Sequence, residues 1–128
     1  LTKIDQNDLG AWLELGNLQI HLKKLNAAIY AFQQALETDS NCDQAYQRIA
    51  WIYADQEVYL DLAEKFAAKA VKIDPSASNL SIFSYVYFKN GKYDKAKELI
   101  QRAIDIEPKN QAYHTQLRDI QNARQNEQ

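Results

Sequence analysis

The chain has 128 residues, of which 46% are hydrophobic, and this is ordinary usage for one domain with a modest core. Its 15 lysines and arginines nearly balance its 17 aspartates and glutamates, so the net charge of −2 creates no strong field for nucleic acid or an anionic membrane. The single cysteine, Cys42, excludes an internal disulfide and any multi-cysteine metal site. No run approaches the roughly 18 apolar residues that a membrane span needs, so no membrane contact is predicted.

The spacing of apolar residues predicts an all-α chain. Apolar residues recur three and four apart in six segments, which is typical of amphipathic helices, and no stretch alternates cleanly with a period of two. Gly91, in Asn90-Gly91-Lys92, indicates the end of a helix with glycine in the left-handed conformation. In chain order the six segments are 9–22, 25–36, 45–53, 60–73, 80–88 and 93–106.

Nine small residues recur with a period near 34, which predicts one helix pair repeated three times and stacked. A side chain must be small at the same place in every unit only where two backbones come very close. The first helices keep a strict spacing of 34, whereas the second helices are spaced by 35 and then 33. We therefore expect one extra residue in the turn at 55–58 and one fewer after Pro75. The three series are Gly16, Ala50 and Ser84; Ala28, Ala63 and Ala96; and Ala35, Ala70 and Ala103.

Short polar residues and prolines also recur at the ends of the predicted helices. Asn26, Asp61 and Asp94 occupy equivalent places at the start of the second helices, where a short polar side chain can accept bonds from unpaired N–H groups. Pro75 and Pro108 close the second and third units, because proline stops a helix. The pattern thus indicates where each helix pair starts and stops.

The repeated letters resemble those of the tetratricopeptide repeat, whose pattern is W-x2-L-G-x2-Y, then A-x3-F, then P. Single letters of this pattern are weak, but the joint match covers about residues 9 to 110. The first unit has Gln19 in place of the tyrosine and Ser40 in place of the proline, and the second has Ala67 in place of the phenylalanine. The matching residues include Trp12, Leu15, Gly16, Ala28, Phe32, Tyr46, Ile49, Tyr53, Ala63, Phe83, Tyr87 and Ala96.

This resemblance implies a right-handed superhelical solenoid of antiparallel helix pairs, with three repeats and a C-terminal capping helix. We expect repeats at 9–42, 43–76 and 77–110. Residues 1–8 resemble the ends of the later repeats and are interpreted as the tail of a preceding one. Residues 111–128 carry one narrow apolar stripe, formed by Tyr113, Leu117 and Ile120, and are interpreted as the cap that keeps the stack soluble.

No catalytic constellation is apparent, so we predict that the chain is not an enzyme and needs no cofactor or metal. The two histidines, His21 and His114, lie far apart in a linear stack, and no glycine-rich phosphate loop occurs. A lysine stripe at Lys65, Lys69 and Lys72 leaves single-stranded RNA binding as an alternative, although nucleic acid is disfavoured because acidic residues are interspersed.

In the resembled family the first helix of each pair lines a concave groove that holds a peptide or a partner helix. Some members bind acidic chaperone tails through a cluster of basic residues and asparagines, the carboxylate clamp. Only Asn17 matches that cluster here, because Leu13, Arg48, Ser78 and Ile82 replace its other members, and we argue against a clamp. The predicted partner-binding residues are Leu13, Asn17, Ile20, Gln47, Trp51, Tyr85, Phe88 and Lys89.

Trp51 and Tyr85 occupy equivalent sites in adjacent repeats and are predicted to be neighbouring hot spots of the groove. Trp12, Tyr46, Tyr53 and Tyr87, by contrast, match structural positions and are assigned to the core. The predicted function is a scaffold for a protein or peptide partner. A competing hypothesis is self-association as a homodimer through a packing face of Leu9, Trp12 and Leu13.

Overall fold

The computed structural model describes residues 8–127, which form seven α-helices and no strand. The helices are α1 (Leu9–His21), α2 (Leu25–Thr38), α3 (Asp43–Asp55), α4 (Leu60–Ile73), α5 (Ala77–Lys89), α6 (Tyr93–Ile106) and α7 (Gln111–Glu127). The predicted all-α class is therefore confirmed. The expected tail at 1–8 lies, apart from residue 8, outside the described residues.

Successive helices pack as pairs, and the pairs stack. The closest associations are α1 with α2, α3 with α4, and α5 with α6. Each second helix then packs against the next first helix, so α2 contacts α3, α4 contacts α5, and α6 contacts α7. One layer therefore contains α1, α3 and α5, and the other contains α2, α4 and α6. This arrangement is a helical repeat solenoid.

All nine small residues of the repeat are buried. At Gly16 an added Cβ would lie 2.5 Å from Cζ of Phe32, so even a methyl group would overlap the ring. Ser84 fits because its Oγ donates a 2.7 Å hydrogen bond to the carbonyl oxygen of Ala96 on the facing helix. The periodic small residues thus mark close approach of helices, as predicted.

The insertion and the deletion both lie in turns, as expected. The turn between α3 and α4 has four residues, 56–59, whereas the other two turns within pairs have three, 22–24 and 90–92. Lys23, Glu57 and Gly91 are 34 apart, and all three adopt left-handed backbone with φ of 59°, 55° and 74°. The extra residue of the longer turn, Tyr59, has a φ of 50° and is largely exposed.

The predicted side-chain caps of the second helices are wrong. Helices α2, α4 and α6 begin one residue before Asn26, Asp61 and Asp94, and their N-cap residues, Lys24, Tyr59 and Lys92, make no side-chain cap bond. Asp94 therefore lies inside the first turn of α6, where a carboxylate still meets the positive end of the helix dipole. It also forms a 2.9 Å ion pair with Arg124 of α7.

Each aromatic residue assigned to the core contacts another aromatic ring, although only Trp12 is buried and Tyr46, Tyr53 and Tyr87 are half-buried. Trp12 is buried and meets Tyr30 edge to face at 6.2 Å between ring centroids. The ring of Tyr46 packs against Phe66, and Phe83 stacks on Tyr87 at 4.5 Å. The predicted stripe of α7 packs onto the last pair, with Ile120 almost fully buried.

The spacing of the first helices is uneven. The loop between α4 and α5 contains three residues, 74–76, one fewer than the loops 39–42 and 107–110. Correspondingly, α5 approaches α3 much more closely than α3 approaches α1. The layer of α1, α3 and α5, called the concave layer after the groove that the sequence predicts, is therefore tight on one side of α3 and open on the other, and the opening contains the site described next.

Candidate functional site

A cleft of about 300 Å³ opens in the concave layer between α1 and α3 and reaches the first turn of α5. Helix α1 supplies one wall, α3 the other, and the loop 74–76 that follows α4 closes one end. The lining is mainly polar, which distinguishes this cleft from the apolar cores on either side. The lining residues are Leu13, Asn17, Phe32, Asp43, Gln44, Gln47, Arg48, Asp74, Ser76, Ser78 and Asn79.

Asn79 connects three helices beneath this cleft. It is only 2% exposed, and its Nδ2 lies within hydrogen-bonding distance of a carboxylate oxygen of Asp43 (2.9 Å) and of the carbonyl oxygens of Asp74 (2.8 Å) and Ala70 (3.3 Å). Its Oδ1 accepts a 2.7 Å bond from Nε2 of Gln47. Because a buried amide must satisfy its polar atoms, these contacts hold α3, α4 and α5 in one register.

The network also determines which way Gln47 points. A carboxylate and carbonyl oxygens only accept hydrogen bonds, so they require the NH₂ group of Asn79, and Oδ1 of Asn79 then requires a donor from Gln47. Both hydrogens of Nε2 in Gln47 are used, one on Asn79 and one on Oγ of Ser78 at 2.9 Å. The Oε1 of Gln47 accepts no bond from any residue within 8–127, although the residue is 93% buried and lines the cleft.

Two further groups in the cleft can still accept a hydrogen bond or form an ion pair. Asp43 uses one carboxylate oxygen for Asn79, and its other oxygen accepts no bond from the part of the chain that the structure describes. Arg48, on the same helix, takes part in no ion pair among those residues. The cleft therefore contains two fixed acceptors and one cation among amides and hydroxyls that can donate or accept.

An aromatic and charged cluster lies at the far end of the concave layer. The hydroxyl of Tyr85 donates a 2.9 Å bond to Asp55, and the ammonium of Lys89 lies 5.6 Å from the centre of the Tyr85 ring. Lys89 also pairs with Glu57 at 3.5 Å. Burial, followed by the bond to Asp55, raises the pKa of the Tyr85 phenol well above its ordinary value.

The structure brings some of the predicted groove residues together and separates others. Leu13, Asn17 and Gln47 line the cleft. Ile20 and Trp51 are half-buried and pack against the core around Phe32 and Ile49, and Tyr85 packs against the core around Ala63 and Val86. Phe88 contacts Tyr93 of α6 and packs into the core around Leu80 and Ile100.

Two features were not anticipated from the sequence. Trp51 and Tyr85 form no ring pair with each other among the aromatic contacts of residues 8–127, although equivalent positions predicted neighbours. Asn79 was missed altogether. The sequence did carry one sign of it, because Asn79 is a polar residue at the position that Ala11 and Ala45 occupy in the other two units.

Within the described range, no group of three or more histidine, cysteine, aspartate or glutamate side chains is arranged to hold a metal ion. The helices there also lack the combination of length and apolarity that crossing a membrane requires. The arrangement can therefore offer hydrogen bonds, one cation and apolar walls to a bound segment.

Comparison with known families agrees with this architecture. A tetratricopeptide-repeat model matches residues 9–42, and a model described as anaphase-promoting complex, cyclosome, subunit 3 matches residues 56–121, about half of the chain. The chain belongs to the tetratricopeptide-repeat family, whose members generally serve as protein–protein interaction scaffolds.

A relative with tetratricopeptide repeats resembles the chain at modest identity. Small glutamine-rich tetratricopeptide repeat-containing protein 2 of Mycosarcoma maydis is 29% identical over 97 residues, which is 75% of this chain. The chain spans about a quarter of the length of that relative (27%).

Many solved structures share the fold, and two of them are similar over nearly the whole chain. The first tetratricopeptide domain of human RPAP3 superposes with a TM-score of 0.85 at 22% identity, covering 93% of this chain and 94% of that one. The first such domain of Spaghetti (RPAP3), bound to the HSP90 peptide SRMEEVD, superposes with a TM-score of 0.83 at 23% identity, covering 94% and 95%.

Proposed function

We propose that the protein is a non-catalytic scaffold that binds an extended segment or a helix of a partner protein in the concave layer of α1, α3 and α5. The observation that carries this proposal is the cleft between α1 and α3. Its polar groups are held in place by buried hydrogen bonds, yet Gln47 and Asp43 keep acceptors that no described residue uses. Preorganised groups of this kind bind a ligand without the cost of ordering side chains.

We further propose that binding does not use a carboxylate clamp. The HSP90 peptide that the Spaghetti domain binds is acidic. In this chain Leu13 and Ser78, which replace clamp cations, line the cleft together with Asp43 and Asp74. Two carboxylates against the single cation of Arg48 disfavour an acidic tail, because like charges repel at short range.

Peptide selection and nuclear magnetic resonance test the proposal. Peptides selected from a random library on the native protein are titrated into ¹⁵N-labelled protein, and the largest shifts are expected in α1, α3 and α5, including the Trp51 indole N–H. Asn17→Ala and Gln44→Ala, both at exposed cleft positions, should weaken binding while the melting temperature stays nearly unchanged. Gln33→Ala, an exposed change on α2, is the matched control and should have no effect.

Shifts confined to α2, α4 and α6, or failure to select any peptide, would contradict a concave binding site. Trp51 and Tyr85 are less suitable for truncation, since both half-buried rings pack on core clusters and their loss would lower stability as well as binding.

A second candidate is self-association through α1, and one observation favours it. Leu18 and Leu22 are 52% and 54% exposed, whereas the equivalents of Leu18 in the later units, Ile52 and Val86, are at most 1% exposed under α2 and α4. The candidate face is therefore formed by Leu18 and Leu22 rather than by the expected Leu9, Trp12 and Leu13, because Trp12 is buried.

Sedimentation at increasing concentration distinguishes this candidate. A dimer that Leu18→Lys dissociates would support self-association through α1. A monomer at all concentrations would contradict it and leave the concave proposal intact.

A further inference from the structure

The cleft between α1 and α3 favours a ligand that donates hydrogen bonds, a preference that the general scaffold function does not specify. Two acceptors on its floor, Oε1 of Gln47 and one carboxylate oxygen of Asp43, are held in place because their side chains bond to Asn79, whereas the exposed amides and hydroxyls of the lining can turn to donate or to accept. The Oε1 of Gln47 faces the cleft because both hydrogens of its Nε2 are spent on Ser78 and Asn79. A ligand that met this floor with its own acceptors would leave a buried oxygen without a partner, which is costly.

The charges that line the cleft also favour a positively charged ligand. One oxygen of Asp43 remains unbonded among the described residues, and the exposed carboxylate of Asp74 lies at the same cleft. Against these two negative charges stands only Arg48, which makes no ion pair there with either aspartate. The cleft is therefore net negative in a chain whose overall charge of −2 is close to balance.

The Asp43 carboxylate is held where a cation could use it. Asp43 is the first residue of α3, and its bond to Asn79 Nδ2 fixes the side chain from the buried side. A positively charged donor entering from the cleft would meet the other oxygen of Asp43 and the oxygen of Gln47 together. Charge-assisted bonds of this kind are stronger than neutral ones.

We propose that this cleft is a specificity pocket for a basic side chain, arginine or lysine, of the segment that the concave layer binds. The inference rests on the proposed function for its biological setting, but the pocket itself can be tested alone. The volume of about 300 Å³ accommodates either side chain. Leu13 and Phe32 supply an apolar wall for the methylene stem, while the charged end reaches the acceptors of the floor.

The direct experiment titrates N-acetylarginine amide and N-acetylcitrulline amide into ¹⁵N-labelled full-length protein and follows the side-chain amide signals of Gln47 and Asn79. The two probes have nearly the same shape but differ in charge. We expect the arginine probe to bind at least about threefold more tightly, with an affinity that falls as salt is added.

Asp43→Asn is the informative variant, because its amide oxygen can still accept the bond from Asn79 while the charge is removed. It should abolish the advantage of arginine over citrulline. Asp105→Asn, an exposed aspartate on α6, is the matched control and should leave the advantage unchanged.

Equal affinity for the two probes, no measurable binding of either, or preference for N-acetylglutamate amide would overturn the proposal; the last result would mean that Arg48 dominates the cleft. The peptide selection described above separates this failure from that of the scaffold function. Peptides that bind in the concave layer without enrichment of basic residues would overturn the pocket alone. Absence of any selected peptide, with arginine still preferred over citrulline, would overturn the scaffold function alone.

Discussion

Asn79 is the residue whose replacement tests the structural reasoning most directly. Alanine occupies the same place in the other two units, so Asn79→Ala restores the repeat pattern and, by helix propensity alone, should stabilise α5 by about 0.5 kcal/mol. We expect the opposite. The substitution removes the side-chain bonds that join Asn79 to Asp43, to Gln47 and to the Asp74 carbonyl at the end of α4, and within this network it leaves only the bond from Gln47 to Ser78.

The expected size follows from those bonds. Each buried hydrogen bond contributes about 1 kcal/mol net, and the bonds to Gln47, Asp43 and the Asp74 carbonyl are short. The Ala70 carbonyl keeps its bond from the backbone N–H of Asp74, so it adds little. After subtraction of the propensity gain, Asn79→Ala should lower the free energy of unfolding by about 2–3 kcal/mol.

The assay is urea denaturation followed by far-ultraviolet circular dichroism. Ser78→Ala, which removes one bond from Gln47 at an exposed neighbour, is the control and should cost about 0.5 kcal/mol. Asn79→Asp keeps the size of the side chain but cannot donate, so it should cost at least as much as alanine. If Asn79→Ala unfolds within about 0.5 kcal/mol of the native chain, the network does not hold the helices together and the fixed orientation of Gln47 loses its basis.

Three further outcomes can be measured. Gly16→Ala should destabilise the fold by about 1–3 kcal/mol in urea denaturation, because its methyl group would overlap the Phe32 ring. Gly10→Ala should not, because its added Cβ would make only an ordinary contact, 3.5 Å from a carboxylate oxygen of Asp8. Gly91→Ala should cost about 1 kcal/mol in the same assay, since φ is +74°. Because the pKa of Tyr85 is higher in the folded than in the unfolded protein, its phenol contributes stability that is fully present below pH 10, the ordinary pKa, and that is lost as the pH rises through the folded pKa. Tyr85→Phe should therefore make the fall in stability at alkaline pH shallower. An equal slope in both proteins would refute this.

The helix pairs and their turns were predictable because each depends on neighbours in sequence. Small residues at a period near 34, the 35 and 33 spacings, and glycine after α5 all report local geometry, and the structure confirms each of them. The caps were misplaced, because a helix start is determined by backbone bonds that a lone aspartate does not reveal.

The candidate site was only partly predictable. Register along the first helices predicted Leu13, Asn17 and Gln47 as groove residues, and the structure brings these three to one cleft. It could not show that Phe88 packs against Tyr93, because that contact depends on the turn between α5 and α6. It also missed Asn79, since one polar residue among core positions carries no sign of what it will bond.

The sequence by itself determined the repeated helix pair, since periodicity records which side chains must be small where helices touch. Only the tertiary structure decided the uneven spacing that opens a cleft beside α1, and the direction in which the Gln47 oxygen faces. The physical reason is that a hydrogen-bond network is directional. The bonds from Gln47 to Asn79 and from Asn79 to Asp43 join residues 32 and 36 positions apart, and only their arrangement in space fixes which atoms remain for a partner.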